Sequence, residues 1–466
     1  DDFKIELENI DSLQLSAPIL PLEKDEYGND KLVRIRTVIQ AASGDLRIDD
    51  PNNKSGIRKS QFSEYPIFRS FDDSYVYYDK PSIFGGVYNR DNFFFHLDTF
   101  QIDSLENFNG MGLQFPGTFY SAGIFPVFED TLTMMRDYSL GFKKTTPSKG
   151  LEIYSGKAIY NNNIYLSNQG LMGSGSLEYL NSFTKANEIY FFPDSTALFG
   201  QDFNLNKIEQ GIEFPDVTNT ETFSLLQPYE DRYRIHKMPK GPKFNFYNKQ
   251  AAFDGDIVLK PTGLIGSGTM ILDKSRMISE YFTYNANWFD SDTADLVVYT
   301  EEGDVSFRST NLKTHIDLLD RTGDFFSNGS GSYVVLPATQ YISYIDKLHW
   351  EMDNEMLILG DNNEDSEGSM FVSTHPDQDS LSFIAKNSTY NLKNNVINLF
   401  GVDEILVADV TIYPSSKGFV IERDAKIPTI TDVKIIADTM KQFHVFNNVN
   451  VDLNGRQSYT ANGDYT

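Results

Sequence analysis

The string Gly170-Leu171-Met172-Gly173-Ser174-Gly175-Ser176-Leu177 comes back almost unchanged as Gly263-Leu264-Ile265-Gly266-Ser267-Gly268-Thr269-Met270, with a shorter echo at Gly329-Ser330-Gly331-Ser332. Glycine inside regular structure costs about 1 kcal/mol or less, so its return at matching places needs a conformational reason. A bulge or a tight strand corner supplies one. Each copy hands the chain to a strand-like apolar run, at 176–180, 270–272 and 333–336. Ahead of the first copy stand alternating runs at 153–160 and 164–166, with Asn161-Asn162-Asn163 between them as turn material; ahead of the second stands 252–259. Hairpin leads to glycine corner, and corner leads to strand. A phosphate loop would need a following helix and, in one class, a Lys-Ser/Thr pair, and neither is present.

The pattern predicts an all-β chain of repeated β units forming stacked jelly rolls, sandwiches or a β-solenoid, with few helices. The stretch 273–281 is the one candidate helix. Four regions follow from the spacing: an N-terminal β region at 1–150, a first repeat at 151–248, a second at 249–360, and a short-strand region at 361–466. The polar connector from Gln227 to Lys243 separates the two repeats. The chain opens at Asp1 without Met and closes at Asp464-Tyr465-Thr466, which reads as a mature or excised portion of something longer, its export signal already removed.

Composition removes several function classes. With 466 residues there is room for a sizeable core, and with no Cys there is no disulfide, thiol nucleophile or thiolate-held metal. Sixty-six acidic against 40 basic residues give a formal charge of −26, which argues against nucleic acid or an anionic membrane surface as partner. Neutral polymers and cations stay open. The 36 Phe and 26 Tyr suit half-buried pleated surfaces, as in Tyr75-Val76-Tyr77-Tyr78 and Phe93-Phe94-Phe95. No apolar run is long enough for a transmembrane helix.

Among short strands at regular intervals beyond residue 361, Leu406-Val407-Ala408-Asp409 and Ile435-Ile436-Ala437-Asp438 share an Ala-Asp turn. Together with the glycine-led strands, this ladder resembles the β-jellyroll and groove-shaped proteins of the bacterial envelope, the OstA type of lipopolysaccharide transport and the TamB type. That resemblance implies a lengthwise apolar trough, whereas many inward candidates here are Tyr or Asn.

A tripeptide is the strongest signal outside the fold. Asp followed by Ser or Thr and a small or aliphatic residue occurs at Ser12, Ser104, Thr131, Ser195, Thr293, Ser380 and Thr439. It resembles the O-glycosylation acceptor of exported Bacteroidota proteins, which implies a glycan on each hydroxyl and a location in the periplasm, on the outer-membrane surface or outside the cell. The alternative is a turn dipeptide capping its own backbone. Asp361, Asn363 and Asp365 place oxygens at alternate positions as a calcium site would, or form an exposed hairpin loop; no other cofactor is expected. The acidic loop at 49–56 and the trio Asp290, Asp292 and Asp295 pose the same choice.

None of the six His lies in a metal-binding pair, and no Gly-x-Ser-x-Gly elbow is present. On a strand expected over 348–357, His349, Glu351, Asp353 and Glu355 would share one face, a paired-carboxylate arrangement that a glycosidase or lyase could use and that any half-buried strand also shows. The expectation is a non-catalytic structural, adhesive or assembly component of the outer envelope or cell surface, whose exposed aromatic faces meet other surface proteins or glycans. A lipid-handling bridge would instead show a lengthwise apolar groove. A polysaccharide-active enzyme would show a cleft joining carboxylates, Arg or Lys, and exposed aromatics.

Overall fold

The computed structural model describes residues 4–19, 22–28, 30–48, 65–103, 105, 112–329, 333–360, 368–414, 418–438 and 444–465. The protein is all-β, built from antiparallel strands with three-residue 3-10 turns such as Pro228–Glu230 and Pro376–Gln378. Two compact units divide it: residues 1–204 with 220–241, and residues 205–219 with 242–466. The junction at 241/242 falls inside the polar connector.

In the first unit, Ala158–Ser167, Gly170–Tyr179, Ser182–Phe191 and Thr196–Leu205 form a meander. The glycine string is therefore the body of a strand, and the Asn161–Asn163 run expected as a turn is the middle of another. Both are bent there. Asn162 has φ +99° and Gly175 φ +154°, and they face each other in register. Beyond Gly173 and Gly175 the next strand carries one extra residue, since Gly173 pairs with Ile189 and Gly175 with Ala186. That is a β-bulge, which bends a strand and re-aims its side chains.

The second copy repeats the device in the second unit. Gly266 pairs with Phe282 and Gly268 with Ser279, so Ser275–Tyr284 carries the extra residue. This corrects the helix expected at 273–281: its alternation of Met277, Ser279 and then, after the bulge, Phe282 and Tyr284 buries one strand face. Adjacent exposed residues mark each corner, Glu280 and Tyr281 here, Asp292 and Thr293 on Trp288–Tyr299, Thr310 and Asn311 on Val305–Asp317.

Bending brings the two halves of one strand face to face. Tyr160, on the first half of its strand, packs against Phe191, 5.0 Å between centroids, and Phe253 meets Tyr284 at 5.9 Å. In each unit both layers point their apolar residues at each other, and that interior is the unit's core. Phe119, Tyr160 and Phe191 in the first unit and Phe253, Phe282 and Phe289 in the second are almost wholly buried. Burying each such ring contributes roughly 1.5–3 kcal/mol.

Past Val305–Asp317 the two layers are carried by separate strands. The 312–317 half pairs with Thr322–Ser327, followed by Lys347–Glu351, Met356–Leu359, Asn387–Asn391 and Val396–Phe400. The other half pairs through Arg308 with Tyr333–Leu336, followed by Tyr341–Tyr344, Ser369–Ser373 and Ser382–Ala385. A further five-stranded sheet runs from Ile405–Val407 to Ser458–Tyr465, and the first unit adds a four-stranded sheet from Lys4–Ile10 to Gln101–Ile102. Among the described residues no helix is long and apolar enough to cross a membrane.

Candidate functional site

With the interior filled, three outward features stand out among the described residues. The first lies on Ser74–Tyr77, Phe93–Leu97 and Gln114–Ser121 in the first unit. Alternation buries Val76, Phe93, Phe95 and Phe119 and sends Tyr75, Tyr77, Phe94, His96 and Tyr120 outward, half-exposed. Cross-strand register then stacks them: Phe94 on Tyr120 at 4.7 Å and Tyr75 on His96 at 5.1 Å. Arg90 covers the Tyr77 ring at 4.8 Å and is held by Asp79 at 2.7 Å, which raises its pKa. His96 Nε2 sits 3.1 Å from Asp73, close enough for an ion pair though not aligned as a hydrogen bond. Partial burial, followed by the Asp73 charge, raises the Tyr75 phenol, so it stays neutral.

This strip runs into a groove of about 670 Å³. Phe94, Tyr120, Pro126 and Val127 give it an apolar side; Asp91, Asn92, Glu152 and Ser155 give it a polar one. Its turn is braced, because Ser121 Oγ accepts from Phe125 N at 2.8 Å and donates to Phe125 O at 3.0 Å.

The second feature is a charged cleft of about 330 Å³ in the second unit, lined by Asp273, Lys274, Tyr299, Arg321, Trp350, Met352, Asp353 and Glu355. The single strand expected over 348–357 is in fact a hairpin, Lys347–Glu351 and Met356–Leu359, turning through residues 352–355 with Glu355 at φ +49°. The turn separates the proposed row: His349 and Glu351 stay on the sheet, while Asp353 and Glu355 move to the cleft. There Arg321 binds Asp353 at 2.5 Å and Asp273 at 3.0 Å, and Lys274 lies 3.2 Å from Glu301 and 3.7 Å from Glu355. These partners raise the pKa of both cations, chiefly through the Asp353 and Glu301 hydrogen bonds. His349 joins a different row, Asp290, His315, Asp324 and His349, across four neighbouring strands, with His315 Nδ1 2.7 Å from Asp290 and His349 Nδ1 2.9 Å from Asp324.

The third feature was not anticipated. In the layer of Tyr333–Leu336, Tyr341–Tyr344, Ser369–Ser373 and Ser382–Ala385, the inward face is buried and the outward face is mostly apolar too, Ser382 being its polar member. Tyr333, Tyr344, Met370 and Ile384 stand in one register row, 49%, 37%, 41% and 52% exposed, with Val335, Ile342 and Val372 in the row beside them. The signal was in the sequence: Tyr-Val-Val-Leu and Met-Phe-Val are continuous apolar runs rather than alternations, the mark of strands covered on both faces.

The hydroxyls singled out in the tripeptides lie in different settings. Ser12, Thr293 and Ser380 are exposed, Thr293 at a strand corner and Ser380 after a 3-10 turn with φ +57°. Thr131 is half-buried within Phe128–Met134, and Ser195 is half-buried in a turn where its Oγ donates to Asp194 at 2.8 Å. Ser104, Thr439, the acidic loop at 49–56 and the calcium candidates Asp361, Asn363 and Asp365 lie outside the described residues. Among the described residues no group of three or more His, Asp or Glu is placed to hold a metal, and Asp290, Asp292 and Asp295 do not converge into one. No protein-family model, curated protein or solved structure matches the chain.

Proposed function

We propose that this protein is a non-catalytic β scaffold that works by presenting its outer faces, an adhesive or assembly component of the bacterial outer envelope or cell surface. One observation carries the reading: seven apolar side chains, Tyr333, Val335, Ile342, Tyr344, Met370, Val372 and Ile384, share the outward face of one layer with no charge among them. A contiguous exposed apolar face of this kind marks an interaction surface. Its occupant is the apolar surface of a different protein. Two copies of a chain carrying −26 repel each other, and polar groups reach this face only at the ends of its second row, where Arg308 stands beside Val335 and Ser382 beside Val372, so its centre matches an apolar protein surface better than a glycan or an ion.

The filled interior supports this over a lipid-handling bridge, because the inward residues of both layers have almost no exposure. In the charged cleft the carboxylates are engaged by Arg321 and Lys274, as in a structural network. The envelope location rests on the Asp-Ser/Thr tripeptides. A photo-reactive residue at position 344, introduced in the native host, should capture one discrete protein. Met370→Glu should abolish that capture without changing the sedimentation of the purified chain. Absence of a discrete product, or capture only of a second copy, would sink the assembly reading, and resistance of the protein to protease added to intact cells would count against surface display.

A further inference from the structure

We propose that the groove beside Phe94 and Tyr120 is a binding subsite for a neutral oligosaccharide. The idea rests on the adhesive side of the reading above but on a different unit and different residues.

Sugars present apolar C–H faces between hydroxyls, so a site for them needs a flat apolar side next to hydrogen-bonding groups. The groove has both. The stacked pair Phe94 and Tyr120, with Pro126 and exposed Val127, supplies the apolar side. Asp91 and Glu152 offer carboxylate acceptors with no ion pair among the described residues, and Asn92 and Ser155 can donate as well as accept. A hydroxyl needs both kinds of partner, since it gives one proton and takes one or two.

The walls are already set. Ala122 N donates to Asn92 O at 2.8 Å, Tyr154 N donates to Ile124 O at 2.9 Å, and Ser121 clamps Phe125, so the three segments forming the groove are tied to one another before any ligand arrives. Preformed walls reduce the ordering cost of binding. About 670 Å³ falls within the usual range for ligand clefts and leaves room for more than one sugar ring.

Charge selects the class. The groove's ionisable residues, Asp91 and Glu152, are both acidic, and the chain as a whole is strongly acidic. An acidic polysaccharide or a nucleic acid would be repelled, and a metal ion would lack ligands. A neutral glycan meets neither obstacle.

The test uses the full chain on an array of neutral oligosaccharides (gluco-, xylo-, manno- and chito-series) beside acidic ones, followed by calorimetric titration of the strongest binder. Retention of a neutral series is expected. Tyr120→Ala should weaken it by about ten-fold or more, Asp91→Asn with Glu152→Gln by about five-fold, and Tyr120→Phe should bind nearly as wild type. Asp91 lies on an exposed turn and Glu152 at the exposed position of the short strand Leu151–Ile153, so both can be replaced without touching the core, which keeps the test valid if Tyr120→Ala misfolds. Met370→Glu, in the other unit, should leave glycan affinity unchanged, so failure of the groove and failure of the apolar face are read on separate variants. No retention of any neutral series at millimolar concentration, a preference for acidic glycans, or unchanged affinity in both groove variants would overturn the proposal.

Discussion

Gly175 stands directly opposite Asn162 in the register of neighbouring strands, so close that a β-carbon on residue 175 would overlap the carbonyl oxygen of Asn161. Gly268 stands in the same way opposite Gly255, its own β-carbon position blocked by the carbonyl of Asp254. The repeated glycines are therefore the places where a strand folds over and one backbone presses on the next.

Gly175→Ala and Gly268→Ala should each destabilise their unit by about 2–4 kcal/mol, combining a left-handed φ with a backbone clash. Gly211→Ala is the control: it also has positive φ, +79°, but open space around it, and should cost only about 1 kcal/mol. Urea midpoints of the three variants check the order. Equal midpoints would mean the corners do not depend on these contacts.

Alkali should unfold the protein through its buried phenols. Burial pushes Tyr233 up to about 12, even with the Thr184 hydroxyl bonded to it at 2.6 Å pulling the other way; burial with the Asp231 charge does the same for Tyr179, and burial for Tyr390. In the unfolded chain these groups ionise near pH 10. Below that pH both states are neutral and the stabilisation is complete; as pH rises from about 10 toward 12 only the unfolded chain loses protons, and stability falls. Tyr233 alone accounts for roughly 3 kcal/mol across that window. Phenolate absorbance should lag behind that of the urea-unfolded chain, then appear together with loss of the strand signal.

The Asp290–His315 contact should matter little for stability despite its 2.7 Å separation, since both side chains are more than a third exposed. Asp290→Asn should change stability by less than about 1 kcal/mol, and added salt should shrink the effect. Phe282→Ala, in the clamp between the layers, should cost about 3–5 kcal/mol. Thermal melts of the two variants distinguish a surface row from the core.

Exposure also ranks the hydroxyls of the Asp-Ser/Thr tripeptides. If a glycosylating host modifies the folded chain, peptide mass spectrometry should find glycan at Ser12, Thr293 and Ser380 ahead of Thr131 and Ser195. Full occupancy of Thr131 and Ser195 would place the modification before folding, and an unmodified protein would remove the tripeptide argument for the envelope.

By itself the sequence determined the class of fold, because period-two burial, aromatic and β-branched residues and the doubled glycine string are local properties that each segment carries alone. It also marked 333–336 as an apolar strand run, but not that this run and Met370-Phe371-Val372 would leave an apolar face outward. Only the tertiary structure decided that Asn161–Asn163 is a bend within a strand, that 273–281 is a strand rather than a helix, and that Asp353 and Glu355 leave His349 for Arg321 and Lys274. The reason is physical: a bulge shifts side-chain parity by one residue, and whether a polar triplet turns the chain or folds a sheet depends on the neighbouring strands it is bonded to. The groove of Phe94, Tyr120, Asp91 and Glu152 joins residues far apart in the chain, and no local pattern could have announced it.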